Sequence, residues 1–475
     1  MSAILEISSF VGGEEVPGVA KFDFVRPQDG RLVGQIVEAG PQGVEAAVKA
    51  ASTAFAAHRK SAAHQRIEWI RAAAVALTTH AEEIAQLICE DVGKPIRNCG
   101  FEVKRGAEFL EACASALPFM NGETLPLDAT APGAGHYGFT RHIPYGVVAG
   151  ITPFNAPVNL LIQKVGPAIA AGNAIIVKPA PAGTRVALKL ARLFQSAGWP
   201  VGLYTVLTGD KLTAGKLVSH PQVRAVSFTG GTAGGEALAC AAGAKKFVAE
   251  LGSNAANIVL ADADLDDAAK RIAAAAFEAS GQQCISAQRI LVDRRCVDAF
   301  AEKFVVNART MKLGRADDVT SDLGPMVSRA SADRVMAMCK DAIERGAKYV
   351  LEPRQDGASV SPGILRNVPF EAQLWKDEVF GPIALIVAFD SVDEALRLAN
   401  DSPFGLQGAV FTRDLGMAFR FAEDFDVGAL WINEASRFRL DLYPFGGVKT
   451  SGVGREGVRY AIEEFSQTKF IGMRP

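Results

Sequence analysis

The sequence is poor in the chemistry that would staple a small secreted fold. It has seven cysteines, an odd number, with no Cys-x-x-Cys pair and no Cys/His pairing at zinc spacing. That pattern fits reduced thiols in a cytoplasmic protein with no metal better than a disulfide framework or a structural zinc site. Long hydrophobic runs are also missing. The most apolar windows, Val147 to Ile151 and Ala174 to Val177, are strand-length, far short of the roughly 20 residues of a membrane helix. The first residues, Met1-Ser-Ala-Ile-Leu, show no basic segment leading into an apolar one, so no signal peptide is expected. Nor does one sign of charge dominate. The net charge is −2 with acids and bases interspersed, which gives no electrostatic case for nucleic acid or an anionic membrane. No repeat of solenoid period and no low-complexity segment occurs.

What is present is a large apolar interior. In 475 residues, 49% are hydrophobic and 21% charged, which implies two or three globular domains. The first fifty residues read as short strands and turns. From Gln42 to about Ala116 the apolar positions recur at helical spacing, as in Val44, Ala47, Val48, Ala51, Ala54 and Phe55. Residues Asn121 to Arg141 interrupt this with Gly, Pro and Thr, an excursion of the kind that forms a subunit-contact arm.

From Gly146 onward, short β-rich runs alternate with helical intervals. The strand candidates begin at Val147, Ala174, Tyr204, Ala225 and Lys246, and the spacing predicts βαβ units in a parallel sheet. Ligands of such sheets bind beyond the carboxyl ends of the strands, where Thr152, Lys178, Gly209 and Thr229 fall. A second α/β alternation follows, with strands starting at Ile258, Arg289, Lys348, Ile383 and Ala409. Its helices are expected at 265–277, 298–311, 329–345 and 392–399.

One cysteine stands apart. Cys284 lies in Ser280-Gly-Gln-Gln-Cys-Ile-Ser, a turn signal that leaves a thiolate accessible, whereas the other six occupy helix-like or apolar contexts suited to buried thiols. A reactive thiol and a carboxylate are the parts of covalent catalysis followed by thioester hydrolysis. Glu250, ending an apolar strand before Leu-Gly-Ser, is a candidate base; the alternative is a salt-bridged strand terminus. Asn155, in a Pro-bounded turn, either donates its amide to an oxyanion or caps backbone as an ordinary turn residue. Lys178 either binds ribose hydroxyls or a 2′-phosphate, or snorkels from a sheet edge. Phe228-Thr-Gly-Gly-Thr-Ala-Gly-Gly lacks the G-x-G-x-x-G order. It either receives a diphosphate at a helix N-terminus or simply packs a helix close to the sheet. Pro444-Phe-Gly-Gly-Val-Lys-Thr-Ser-Gly lacks the G-x-x-x-x-G-K-[ST] order of an NTP loop.

Together these segments resemble the NAD(P)-dependent aldehyde dehydrogenase superfamily. The resemblance runs from about residue 20 to the C-terminus through Thr152-Pro-Phe-Asn, Lys164-Val-Gly-Pro, Lys178-Pro, Phe228-Thr-Gly-Gly, Glu250-Leu-Gly, Gly281-Gln-Gln-Cys, Glu378-Val-Phe-Gly-Pro and Pro444-Phe-Gly-Gly. It implies an α/β fold: a Rossmann-like NAD(P)-binding domain (1–118 and 141–249), an α/β catalytic domain (250–448) and a small β oligomerisation arm (119–140 and 449–475). It also implies a homodimer or homotetramer. By the same resemblance Cys284 captures the aldehyde, with Asn155 and the Cys284 backbone N–H holding the oxyanion. Hydride leaves for the nicotinamide, and Glu250 activates water against the thioester. Lys164 takes a possible proton-relay role. NAD or NADP would contact Ile151, Thr152, Pro153, Phe154, Lys178, Pro179, Ala180, Pro181, Gly209, Thr229, Gly230, Gly231, Leu251, Gly252, Glu378 and Phe380. The family's usual acid after the lysine is Pro181 here, which leaves NADP open.

The segment Ser436-Arg-Phe-Arg-Leu-Asp is similar to the branch containing lactaldehyde, non-phosphorylating glyceraldehyde-phosphate, phosphonoacetaldehyde and sulfolactaldehyde dehydrogenases. Arg105, Arg437 and Arg439 are therefore the candidate contacts for a short polar aldehyde, hydroxylated or anionic, with surface salt bridges as the alternative. Three other readings compete: a CoA-acylating semialdehyde dehydrogenase, a catalytically silent crystallin-like relative, and a thiol protease, for which no His stands near Cys284 in sequence.

Overall fold

The computed structural model describes residues 4–475. Two sheets dominate. The larger has eight strands, in the order Gly452–Val453, Lys246–Glu250, Val223–Thr229, Val147–Thr152, Ala174–Pro179, Tyr204–Val206, Ser9–Val11, Glu14–Val16. Its five central strands are parallel and its outer ones antiparallel. Val147–Thr152 and Ala174–Pro179 are buried at every position, because helices cover both faces. That double covering is why they read as continuous apolar runs.

The second sheet has seven strands: Lys348–Leu351, Gly363–Arg366, Ile383–Phe389, Arg289–Asp293, Ala256–Val259, Gln407–Phe411 and Ala429–Ile432. All pairs are parallel except the first. Alternate residues point to opposite faces. Ile258, Leu291, Leu385 and Val410 enter one core, and Val259, Ile290, Ile386 and Ala409 the other. The expected helices form at Leu265–Phe277, Val297–Thr310, Arg329–Glu344 and Val392–Asn400. Asp264, Ser328 and Ser391 cap three of them with side-chain oxygens. The long helical stretch divides into Gly40–His58, Ala63–Thr79, Ala81–Val92 and Ile96–Ala116. Two strands of this sheet escaped the pattern reading, Gly363–Arg366 and Ala429–Ile432. Both are short, and the first opens on glycine.

The third element is a hairpin-like sheet in which Tyr137–Pro144 pairs with Ser466–Met473 along eight residues, from Pro144↔Ser466 to Tyr137↔Met473. This corrects the expected arm in two ways. The boundary at 140/141 cuts through a continuous strand. Residues 449–464 lie elsewhere: Gly452–Val453 pairs with Lys246–Glu250, and Val458–Glu464 is a helix.

The larger sheet positions the site. From Val147–Thr152 the chain moves outward to Ala174–Pro179 and Tyr204–Val206, then returns to the other side for Val223–Thr229 and Lys246–Glu250. A parallel sheet opens a crevice at such a reversal, beyond its carboxyl ends. Residues 151–154, 178–181, 209, 229–231 and 250–252 all lie at those ends.

Candidate active site

Lys178 ends a central strand, not an edge, and is 7% exposed. Its ammonium has no hydrogen-bond or carboxylate partner among the described residues. Burial lowers its pKa to about 8 against the opposing charge of Asp210. Pro181 opens the short turn Pro181–Gly183 and offers no acid beside it. Ala180 N–H donates to Thr152 O at 2.8 Å, which ties the two strand ends together. At Gly209 a Cβ would lie 2.5 Å from Thr213 Oγ1, so glycine is required there.

The close-packing reading of the glycine turn holds at two of its positions. A Cβ at Gly230 would strike the Phe228 ring at 2.7 Å and one at Gly235 would meet Leu251 at 2.4 Å, whereas one at Gly231 would meet nothing. The helix Thr232–Ala242 that follows Gly231 has no side-chain cap, so its first N–H groups stay available to an anion. Glu378 accepts from Ser253 N–H at 3.1 Å, and burial raises its pKa to about 7. Phe380 holds φ at +48°, a strained conformation for a bulky residue, and its ring meets Phe154 edge-on at 5.9 Å. An unpartnered lysine, an uncapped helix start open at Gly231 and a half-buried carboxylate fit a dinucleotide lying along the crevice.

Cys284 is half-buried against Ile285, Leu406, Tyr443 and Phe445. Three successive residues before it, Ala279, Ser280 and Gly281, have φ of 53°, 57° and 65°. Ser280 Oγ donates to Gly324 O at 2.7 Å and pins this strained turn. Burial, reinforced by the Glu378 charge, pushes the Cys284 thiol up to about 12, with Arg439 opposing. The cysteine expectation needs one correction: Cys240 is exposed, on the outer face of its helix.

Asn155 Nδ2 donates to Gln282 O at 2.9 Å, which ties its loop to the residues just before the thiol, and its second N–H remains available. Glu250 is 2% exposed, and neither carboxylate oxygen has a partner among the described residues. It is not a salt-bridged strand end. Burial, then the neighbouring Glu456 charge, raises its pKa well above the carboxylate range.

The glycine-rich C-terminal loop wraps this carboxylate. Leu251 N–H donates to Ser451 O at 2.9 Å, Ser451 Oγ to Gly252 O at 2.7 Å, and a Cβ at Gly446 would come within 3.0 Å of Glu250 Oε1. Its glycines serve close packing.

Lys164 is fully buried and donates to Ser227 Oγ at 3.1 Å, Thr229 Oγ1 at 2.7 Å and Glu456 Oε1 at 3.1 Å. Pattern reading missed Glu456, whose only signal is a lone acid inside a glycine-rich loop. Burial pushes Glu456 up, but Lys164 and Arg439 outweigh it and hold it below the usual range. The three arginines all carry protein carboxylate partners in part-buried settings, not on the surface. Arg105 grips Asp441 with two bonds, at 2.9 and 2.6 Å, and Arg437 pairs with Glu278 at 2.6 Å and donates to Gln283 Oε1 at 3.0 Å. Arg439 bonds Gln163 and Glu456, both at 2.9 Å, and lies 3.6 Å over the Phe445 ring. Only 8% of its side chain is exposed, and its Nε is buried without a partner among the described residues. Arg105 and Arg437 keep exposed edges.

The crevice beyond the strand ends thus gathers a half-buried thiol, a buried unpartnered carboxylate and a side-chain amide with a free N–H. The chain belongs to the aldehyde dehydrogenase family, whose model matches residues 16–471. It is an NAD(P)-dependent oxidoreductase acting on aldehydes. It is 38% identical to the 3-sulfolactaldehyde dehydrogenase of Priestia aryabhattai over 99% of this chain and 98% of that protein. It is 38% identical to the lactaldehyde dehydrogenase of Methanocaldococcus jannaschii over 82% of this chain and 84% of the relative. The solved glyceraldehyde-3-phosphate dehydrogenase of M. jannaschii, complexed with NADP, superposes with a TM-score of 0.92 at 34% identity, covering 96% of this chain and 99% of that one.

Proposed function

We propose that the protein oxidises a short polar aldehyde, hydroxylated or anionic, to its carboxylate through a thioester on Cys284. The observation that carries the mechanism is Glu250: a buried carboxylate with both oxygens unpartnered, beside the loop that bears the thiol. Sγ of Cys284 adds to the aldehyde carbon, and the free N–H of Asn155 with the Cys284 backbone N–H meets the oxyanion of the thiohemiacetal. When bound, the oxidised nicotinamide supplies the hydride acceptor and a positive charge that favours the thiolate. Glu250 takes a proton from water, which attacks the thioester carbon; the C–S bond breaks and the thiol is restored. Lys178 and Glu378 hold ribose hydroxyls, and the helix start at Gly231 receives the diphosphate. A free Glu250 also disfavours transfer of the acyl group to CoA.

Arg105 and Arg437, whose side chains stay 20% and 27% exposed, support the substrate class, as do relatives named for sulfolactaldehyde and lactaldehyde. Kinetics with lactaldehyde, 3-sulfolactaldehyde, succinic semialdehyde and phosphonoacetaldehyde test it. At least one should exceed long apolar aldehydes in kcat/KM, and preference for the apolar series sinks the proposal. Arg105→Met should lower kcat/KM for an anionic aldehyde about 10- to 100-fold, the worth of a charge-assisted hydrogen bond, while sparing propanal.

Among the described residues no helix is long and apolar enough to cross a membrane. Ser466–Met473 is the outer strand of its sheet, with Phe470 and Met473 exposed. An open eight-residue edge is a template for pairing and supports the proposal of a homodimer or homotetramer. Light scattering should give two or four chain masses; a monomer at assay concentration refutes it.

A further inference from the structure

A buried ion pair lies outside the residues considered so far. Lys94, between the helix Ala81–Val92 and Pro95, places Nζ 2.5 Å from Glu102 Oε2, with side-chain exposures of 9% and 2%. Such pairs seldom add net stability, because the desolvation of two charges offsets their attraction. The remaining bonds of this one all go to a single loop. Lys94 Nζ also donates to Asn155 O at 3.3 Å. Glu102 Oε1 accepts from Val158 N–H at 2.8 Å and Asn159 N–H at 3.2 Å. These N–H groups begin the helix Asn159–Ala170, which has no side-chain cap of its own. Glu102 therefore caps that helix from a distance, with its charge at the favourable end of the dipole.

The Asn155 side chain is weakly anchored by itself. Its single hydrogen bond runs to Gln282 O, and its Oδ1 is buried without a partner among the described residues. The direction of its remaining N–H is thus set by the backbone of residues 155–159, and that backbone is held by Lys94 and Glu102. The geometry points to Lys94 and Glu102 as positioning residues for the Asn155 amide: a clamp outside the reaction centre that fixes the oxyanion donor while touching neither substrate nor cofactor. This rests on the oxyanion role proposed above for Asn155.

The test is a mutant cycle in the full-length enzyme with saturating NAD(P). Asn155→Ala alone should lower kcat about 10²- to 10³-fold, as loss of an oxyanion donor does. Lys94→Met and Glu102→Gln should each lower kcat about 10-fold or more, with KM for aldehyde and Kd for cofactor changed less than about threefold, because a misplaced donor is felt in the transition state. Lys94→Arg, which keeps the charge, should recover most of the loss. In the Asn155→Ala background, Lys94→Met should cost less than about twofold more, since residues acting through one group are not additive. Wild-type kcat in both single variants, or losses that multiply in the Asn155→Ala background, overturns the clamp while leaving the Asn155 role intact. An unchanged kcat in Asn155→Ala overturns the oxyanion role and the clamp with it. Should Lys94→Met fail to fold, Glu102→Gln decides by the same criteria, because it keeps the side-chain shape and one acceptor for Val158 and Asn159.

Discussion

Replacing Cys284 with alanine should abolish aldehyde oxidation, with kcat lower by about 10⁴-fold or more, the scale of losing the nucleophile of a covalent mechanism. The crevice beyond the strand ends should survive, because the residues at Lys178, Gly231 and Glu378 do not depend on the thiol for their bonds. Fluorescence titration with NAD(P)H should therefore give a Kd within about threefold of the parent, since removing a small half-buried side chain leaves the cofactor contacts in place. Retained oxidation in this variant would dispose of the thioester route; lost cofactor binding would show that the change had disturbed the fold. A thiol protease reading makes the opposite forecast, turnover without nicotinamide, and among the described residues Cys284 has no histidine hydrogen-bonded to it.

Glu250→Gln should separate the two halves of the reaction. In the proposed mechanism acyl-enzyme formation needs the thiol and the amide, and hydrolysis needs Glu250 as base. Stopped-flow mixing should show a burst approaching one NAD(P)H per active site, followed by steady turnover slower by about 10²- to 10³-fold, within the range expected for a general base. A variant with no burst and no turnover would place Glu250 in thiol activation instead. The parent enzyme should show the matching pH dependence. Burial and the Glu456 charge keep Glu250 protonated above the usual carboxylate range. Its basic form appears only at a higher pH than an ordinary carboxylate needs, so the deacylation rate should climb as pH rises above the usual carboxylate range. In Glu250→Gln that climb should flatten.

Much of the fold was legible from local patterning. Each of the five parallel strands in the larger sheet coincides with an apolar run bounded by turn residues, and four helices of the second half fall within a residue or two of their expected limits. Gly363–Arg366 and Ala429–Ile432 escaped because four residues with one glycine, or a short edge segment, carry too little period to distinguish strand from loop. The candidate site was legible where motifs are themselves the signal: Cys284, Glu250, Asn155 and Lys178 stand in segments whose order along the chain resembles one family. Glu456, Lys94 and Glu102 were not, because a buried carboxylate or ammonium looks in sequence like a solvated one.

The amino-acid order by itself determined the class of fold, the family and the residues at the strand ends, because these follow from short-range periodicity and from motifs read within a few positions. Only the tertiary structure decided what each charge does. It left both oxygens of Glu250 unpaired, packed Arg439 against Glu456 and Phe445, and turned the C-terminal glycine loop into packing around the Glu250 carboxylate. It also joined Lys94 and Glu102 to the Asn155 loop. Such outcomes depend on burial and on partners tens or hundreds of residues away, and the energy of a charge is set by that surrounding medium, not by its neighbours in sequence.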